Sequence, residues 1–183
     1  MNSKVKLIII ILMFVGIIAG AYVLYGALKE KTAESDNTEH ISEPDKSKAK
    51  DFTVLDKEGN SVKLSDYIGK PVVVNFWASW CPPCKSEMPD FDEVYKEMGE
   101  EITFMMVNMT DGKETIEKAK SFVDGAGYSF PVYFDKGQDA AYAYQIYSIP
   151  TTLFIDKDGN LVQTAKGAMT KKALLQNIEA IKE

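Results

Sequence analysis

The chain has 183 residues, enough for one domain of ordinary size with appendages. Basic residues number 21 and acidic ones 27, and beyond residue 28 the balance is 19 lysines to 27 acids, a net charge of −8 that argues against nucleic acid and anionic lipid headgroups as partners. Two cysteines and a single histidine are too few for an intrachain zinc site, which needs four ligands, and no metal or cofactor is expected.

Residues 1–6 carry two lysines and no acid, and residues 7–28 form an uncharged run of 22. As a helix that run is about 33 Å long, enough to cross a hydrocarbon core of about 30 Å. Lysines before it orient the N-terminus towards the cytoplasm. The expectation is a cytoplasmic segment at 1–6, a single-pass transmembrane anchor at 7–28, and everything after it on the extracytoplasmic side of the cell membrane. A cleavable signal peptide competes, with 7–18 as its apolar region and Ala19-Gly20-Ala21 as its cleavage site. The apolar run continues past that point to Leu28, and Tyr22 and Tyr25 suit the outer interface, which favours the anchor. Both readings deliver the domain to the same compartment. Residues 29–50 are charged and poor in large apolar side chains, the composition of a flexible tether with a reach of about 25 Å.

The folded domain is expected over 51–183. Residues 52–55 and 61–64 read as two short strands around a Gly59-containing turn, hence a hairpin. After the Gly69-Lys70-Pro71 break comes Val72-Val73-Val74-Asn75-Phe76-Trp77, a β-branched apolar run with the character of a buried strand, leading into Cys81-Pro82-Pro83-Cys84. Residues 85–98 carry Phe91, Val94, Tyr95 and Met98 at helical spacing, with Pro82 at the first helical position, where a missing N–H costs nothing. Cys81 therefore stands at a helix N-terminus. Free N–H groups and the helix dipole stabilise a thiolate there, which predicts a pKa below the roughly 8.5 of a free cysteine. Cys84, one turn on, is close enough to form a disulfide with it. Covalent haem attachment wants His where Lys85 stands, and a purely structural disulfide gains little from closing so short a loop. Thiol–disulfide exchange is the reading that remains.

Further along, 102–108 reads as a strand, 114–123 as an amphipathic helix, 131–134 as a strand and 139–145 as a helix, so parallel pairing is expected in the middle of the sheet. From propensity alone the Ile149–Pro150 bond is expected to be trans, because only about 5% of X–Pro bonds are cis in folded proteins. Residues 153–155 and 161–164 form a closing hairpin around Asp156-Lys157-Asp158-Gly159-Asn160. That turn lacks the glycine position and late glutamate of a calcium loop. Thr170 caps a final helix whose Leu174, Leu175, Ile178 and Ile181 share one face.

WASWCPPC, the KSEMP that follows it and Ile149-Pro150-Thr151-Thr152 together resemble the thioredoxin superfamily. Within it they are similar to the TlpA/ResA-like membrane-anchored thiol–disulfide oxidoreductases, over roughly residues 50–183. The resemblance implies a thioredoxin-like α/β fold: a mixed central sheet flanked by helices, with an N-terminal β-hairpin and the inserted helix and strand of that branch. It also implies a cis Pro150 packed against the cysteine pair. Thioredoxin carries a buried Asp six residues before its first cysteine, and Asn75 stands there, as in the TlpA/ResA branch. Glu87 shares a helix face with Cys84, and the resemblance assigns it as proton acceptor and tuner of the pair. The implied site has Cys81, Cys84 and Glu87 as catalytic residues and Trp80, Pro82, Pro83, Ile149 and Pro150 as client contacts. Asn75 and Trp77 tune it, with both tryptophans walling it and the Ile149 backbone pairing with an extended client segment.

Family resemblance favours a reductase of disulfides in client proteins, such as the CXXCH motif of apocytochrome c or an extracytoplasmic methionine sulfoxide reductase. Its electrons are expected from an integral-membrane thiol carrier of the CcdA/DsbD kind. An envelope oxidase or isomerase is the alternative, because potentials of CXXC proteins span about −270 to −120 mV and two intervening residues do not fix a place on that scale. A thiol peroxidase would carry Thr at position 78, where this chain has Ala.

Overall fold

Residues 72–77 alternate between two faces, and this alternation decides the architecture. Val73, Asn75 and Trp77 point to one face, Val72, Val74 and Phe76 to the other, and all six are buried. A strand buried on both sides needs cover on both. The computed structural model, which describes Met13 and residues 47–182, shows how that cover is supplied.

The strands are β1 (Thr53–Leu55), β2 (Ser61–Lys63), β3 (Val72–Trp77), β4 (Thr103–Asn108), β5 (Val132–Phe134), β6 (Thr151–Ile155) and β7 (Leu161–Lys166). They form one mixed sheet in the spatial order β2-β1-β5-β4-β3-β6-β7. The centre is parallel, β3 with β4 and β4 with β5, while β6 and β7 run antiparallel on one side and the β1–β2 hairpin on the other. Helices α1 (Pro82–Met98), α2 (Ile116–Ala126) and α4 (Lys171–Lys182) cover one face, on a core that includes Phe91, Phe104, Val123 and Ile178. The 3-10 turn Leu64–Tyr67 and the short α3 (Asp139–Ala143) cover the other, with Phe52, Phe76 and Met105. This is the thioredoxin-like arrangement, with β5 and α3 added between β4 and β6.

Several boundaries differ from expectation, and three of them have a clear local reason. The domain starts before residue 51. Ala49 N–H donates to Gly159 O, Leu161 N–H donates to Ser47 O, and Lys48 bridges to Asn160, so the last residues of the expected tether are stitched to the β6–β7 turn. Helix α2 starts at Ile116 because the Thr115 hydroxyl accepts from Lys118 N–H as its N-cap, which leaves Glu114 outside the helix. Helix α3 stops at Ala143, two residues early. Gln145 adopts φ +51 there, Ile146 N–H donates to Ala141 O and Gln145 N–H to Tyr142 O, the bond pair of a Schellman stop.

The expected cytoplasmic segment, the anchor apart from Met13, and most of the tether lie outside the described residues. Among the described residues no helix is long and apolar enough to cross a membrane.

Candidate active site

The strand–turn–helix step at β3 and α1 builds the centre. Cys81 is the N-cap of α1 and Pro82 its first residue. Cys84 N–H points at Cys81 Sγ, 3.2 Å away, and Lys85 N–H closes the first helical bond onto Cys81 O at 3.1 Å. A helix start therefore directs one of its free donors at this sulfur. The two cysteines are joined as a disulfide with a Cα–Cα distance of 5.3 Å. Both are buried, Cys81 3% and Cys84 0% exposed, while Pro82 and Pro83 are exposed and Trp80 is 57% exposed.

The second wall is the turn before β6. Ile149–Pro150 is cis, so the expectation from propensity is overturned and that from resemblance holds. Ile149 O lies 3.8 Å from Cys81 Sγ. Thr151 Oγ1 donates to Ser148 O at 2.7 Å and Gly167 N–H to Pro150 O at 2.9 Å, which fix the turn on both sides.

Behind the sulfurs lies a buried polar cluster. Cys84, Glu87, Phe91 and Val94 line the inner face of α1, and Glu87 is 1% exposed in that apolar setting. Its Oε1 accepts from Asn75 Nδ2 at 2.9 Å and its Oε2 from Met169 N–H at 2.9 Å. Asn75 Nδ2 also reaches Thr152 Oγ1 at 3.0 Å. Burial pushes the Glu87 carboxyl up to about 7, against the two donors from Met169 and Asn75, which pull it down. The face alternation of β3 is what brings Asn75 to Glu87.

Trp77 departs from its expected place. It is fully buried, packed against Phe122 with ring centroids 5.9 Å apart in the same core as both cysteines, so Trp80 is the tryptophan that reaches the surface.

Sequence reading missed Glu114. Only 3% exposed, it accepts from Ser79 N–H (2.9 Å), Ser79 Oγ–H (2.8 Å) and Asn108 Nδ2 (2.9 Å). It thus ties the loop two residues before Cys81 to the end of β4. The only signal in the sequence was polar Asn108 closing an apolar strand, which does not name its partner.

Among the described residues no cluster of His, Cys, Asp or Glu could hold a metal ion. The cavity of about 410 Å³ between the β1–β2 turn, α2 and β5 holds none of the residues above.

Comparison with known proteins agrees with this geometry. The AhpC/TSA family pattern matches residues 46–164. The thiol–disulfide oxidoreductase ResA of Geobacillus kaustophilus is 40% identical over 139 residues, 74% of this chain and 77% of that protein. This chain belongs to the ResA family of thiol–disulfide oxidoreductases. The ResA protein of Bacillus anthracis is 43% identical over 129 residues, covering 69% of this chain and 72% of its own. Among solved structures, the exposed lipoprotein thioredoxin of Streptococcus pneumoniae superposes with a TM-score of 0.64 at 37% identity, over 72% of this chain and 99% of that one. As a ResA-family member the protein is a redox enzyme with the thioredoxin-like fold, and the family implies disulfide-containing client proteins. Its Cys81 and Cys84 are paired at the strand–helix step between β3 and α1.

Proposed function

We propose that this protein is an extracytoplasmic, membrane-anchored reductase of client-protein disulfides, working through Cys81 and Cys84. The observation that carries the reading is the position of Cys81: a helix N-cap sulfur faced by a backbone N–H and flanked by Ile149 O. In the reduced enzyme Cys81 thiolate attacks one sulfur of a client disulfide. A mixed disulfide forms and the first client thiolate leaves. Cys84 thiolate then attacks Cys81 Sγ, the mixed disulfide breaks, and the second client thiolate leaves. Two electrons pass to the client, and the enzyme ends in the Cys81–Cys84 disulfide form.

Cys84 must lose its proton for the second step. Glu87, on the same face of α1 and titrating near 7, has the proton affinity to accept and return it at neutral pH. The apolar run at 7–28, with lysines before it, supports the anchor and the orientation. Apocytochrome c and methionine sulfoxide reductases are the client classes of this reading, and a CcdA/DsbD-type membrane carrier is its electron source.

Direction is tested by equilibrating the enzyme with a dithiol buffer of known potential. A midpoint below about −220 mV supports the reductase, and one near −120 mV favours the oxidase or isomerase alternative. Clients are tested by expressing Cys84→Ser in the envelope, where mixed disulfides should accumulate on Cys81 for identification.

A further inference from the structure

The loop that ends at the cis proline carries a second binding feature beside the sulfurs. After the left-handed turn at Gln145, residues 146–149 run in no regular structure. The N–H groups of Tyr147, Ser148 and Ile149 have no hydrogen-bond partner among the described residues. Tyr147 is 88% exposed, a large aromatic held out to solvent. Beside it opens a cavity of about 170 Å³ bounded by Tyr147, Ser148, Thr151, Thr164 and Lys166. Lys166 stands opposite Thr151 in the β6–β7 pairing. Its ammonium has no carboxylate in ion-pair reach among the described residues, in a chain with 27 acids.

We propose that this cavity is a client subsite that takes the carboxylate side chain of an Asp or Glu next to the client cysteine under attack, with Lys166 as its charge partner and Tyr147 as its wall. The proposal rests on the reading of the protein as a reductase of client disulfides. Ile149 O at 3.8 Å from Cys81 Sγ puts the attacked client cysteine next to Ile149. An extended segment paired with this loop advances about 3.3 Å per residue and turns successive side chains to opposite sides. Thr151, Thr164 and Lys166 lie on the Phe76 face of the sheet, opposite the cysteines, so the residue adjacent to the client cysteine is the one that turns to Ser148, Tyr147 and the mouth of the cavity. The Thr164 hydroxyl and an unpaired ammonium suit a carboxylate better than an apolar side chain, while the Thr151 hydroxyl is already donated to Ser148 O. The simplest rival is that Lys166 only guards an edge strand against pairing with other chains, a role indifferent to client charge.

The test uses the full chain in its dithiol form and three synthetic peptides, each with one intrachain disulfide. They carry Glu, Gln or Lys next to the cysteine, placed in turn on either side of it. The expected result is kcat/KM higher for Glu than for Lys by about fivefold at low salt, shrinking as salt rises. Lys166→Glu should reverse that order and Lys166→Gln should erase it. An order that survives Lys166→Glu overturns the subsite and leaves the exchange activity standing. No reduction of even the Gln peptide by the parent enzyme overturns the client reading and the subsite with it.

Discussion

Asn75 on β3 and Glu87 on α1 meet inside the core through a 2.9 Å hydrogen bond from amide to carboxyl. A carboxyl in that position is disfavoured as an anion by burial and favoured by its two donors, and burial dominates. Glu87 is thereby poised to hold a proton near neutrality, beside helix residue Cys84. Asn75 contributes a donor without contributing a charge, which leaves the proton on the carboxyl of α1 rather than shared with a second acid on β3.

The raised pKa has a consequence for stability with a definite sign. Below pH 4.5 Glu87 is protonated in both folded and unfolded chains. Between 4.5 and about 7 the unfolded chain releases the proton while the fold keeps it, so stability falls as pH rises. The accumulated loss above pH 7 is on the order of 3 kcal/mol. Glu87→Gln should abolish this slope, so that the variant gains on the parent between pH 4.5 and 8 in thermal unfolding of the oxidised protein. A constant offset across that range would show that burial does not hold the proton there. In turnover, the same variant should be slower and should lose the limb of its pH profile near 7.

Cys81 should be the sulfur that reacts. In the reduced protein it is expected to be alkylated by iodoacetamide at pH 7 about tenfold faster than a cysteine in an unstructured peptide. Cys84, further into α1 and fully buried, should lag well behind. Peptide mapping of the singly alkylated product decides between them, and equal labelling of both cysteines would remove the N-cap argument.

What the sequence made legible were features with a local cause. The β3 run, the Cys-Pro-Pro-Cys helix start and the closing hairpin follow from side-chain periodicity and turn chemistry, and each lies within a residue or two of its expected place. The family resemblance points to Asn75 and Glu87 as site residues, but that their side chains touch depends on β3 and α1 packing face to face, which no spacing encodes. Pro150 shows the limit most clearly: propensity favoured trans, and only the family motif pointed to the cis bond that lies against Cys81. Glu114 was lost to its own context, because an acid just before a Thr reads as the first turn of an amphipathic helix. The hydroxyl of Thr115 took the cap and turned Glu114 inwards.

Glu114 is expected to hold the loop before Cys81 in shape. Glu114→Ala leaves Ser79 N–H and Asn108 Nδ2 without acceptors in a buried place, at a cost of about 3 kcal/mol. Ser79→Ala removes only the hydroxyl bond and should cost about 1 kcal/mol. Urea unfolding of the two single variants and the double one measures the coupling. If Glu114→Ala costs no more than Ser79→Ala, the acid is not what secures this loop.

Gln145 carries the last prediction, because the chain contains its own control. Helices α2 and α3 end with the same pair of hydrogen bonds: Tyr128 N–H to Val123 O with Gly127 N–H to Asp124 O, and Ile146 N–H to Ala141 O with Gln145 N–H to Tyr142 O. The left-handed position is Gly127 at φ +70 in one and Gln145 at φ +51 in the other. A side chain in that conformation costs about 1 kcal/mol through contact of Cβ with the neighbouring carbonyl, and glycine escapes it. Gln145→Gly should therefore stabilise the oxidised protein by about 0.5–1 kcal/mol, a rise in Tm of roughly 2–3 °C, and Gly127→Ala should lower it by a similar amount. The β-branched Gln145→Val should be worse than the parent, since its branched Cβ tolerates the left-handed region least. A Gln145→Gly variant that melts lower than the parent would mean that the glutamine side chain, which borders the cavity beside Tyr147, holds the loop by contacts that outweigh its backbone strain.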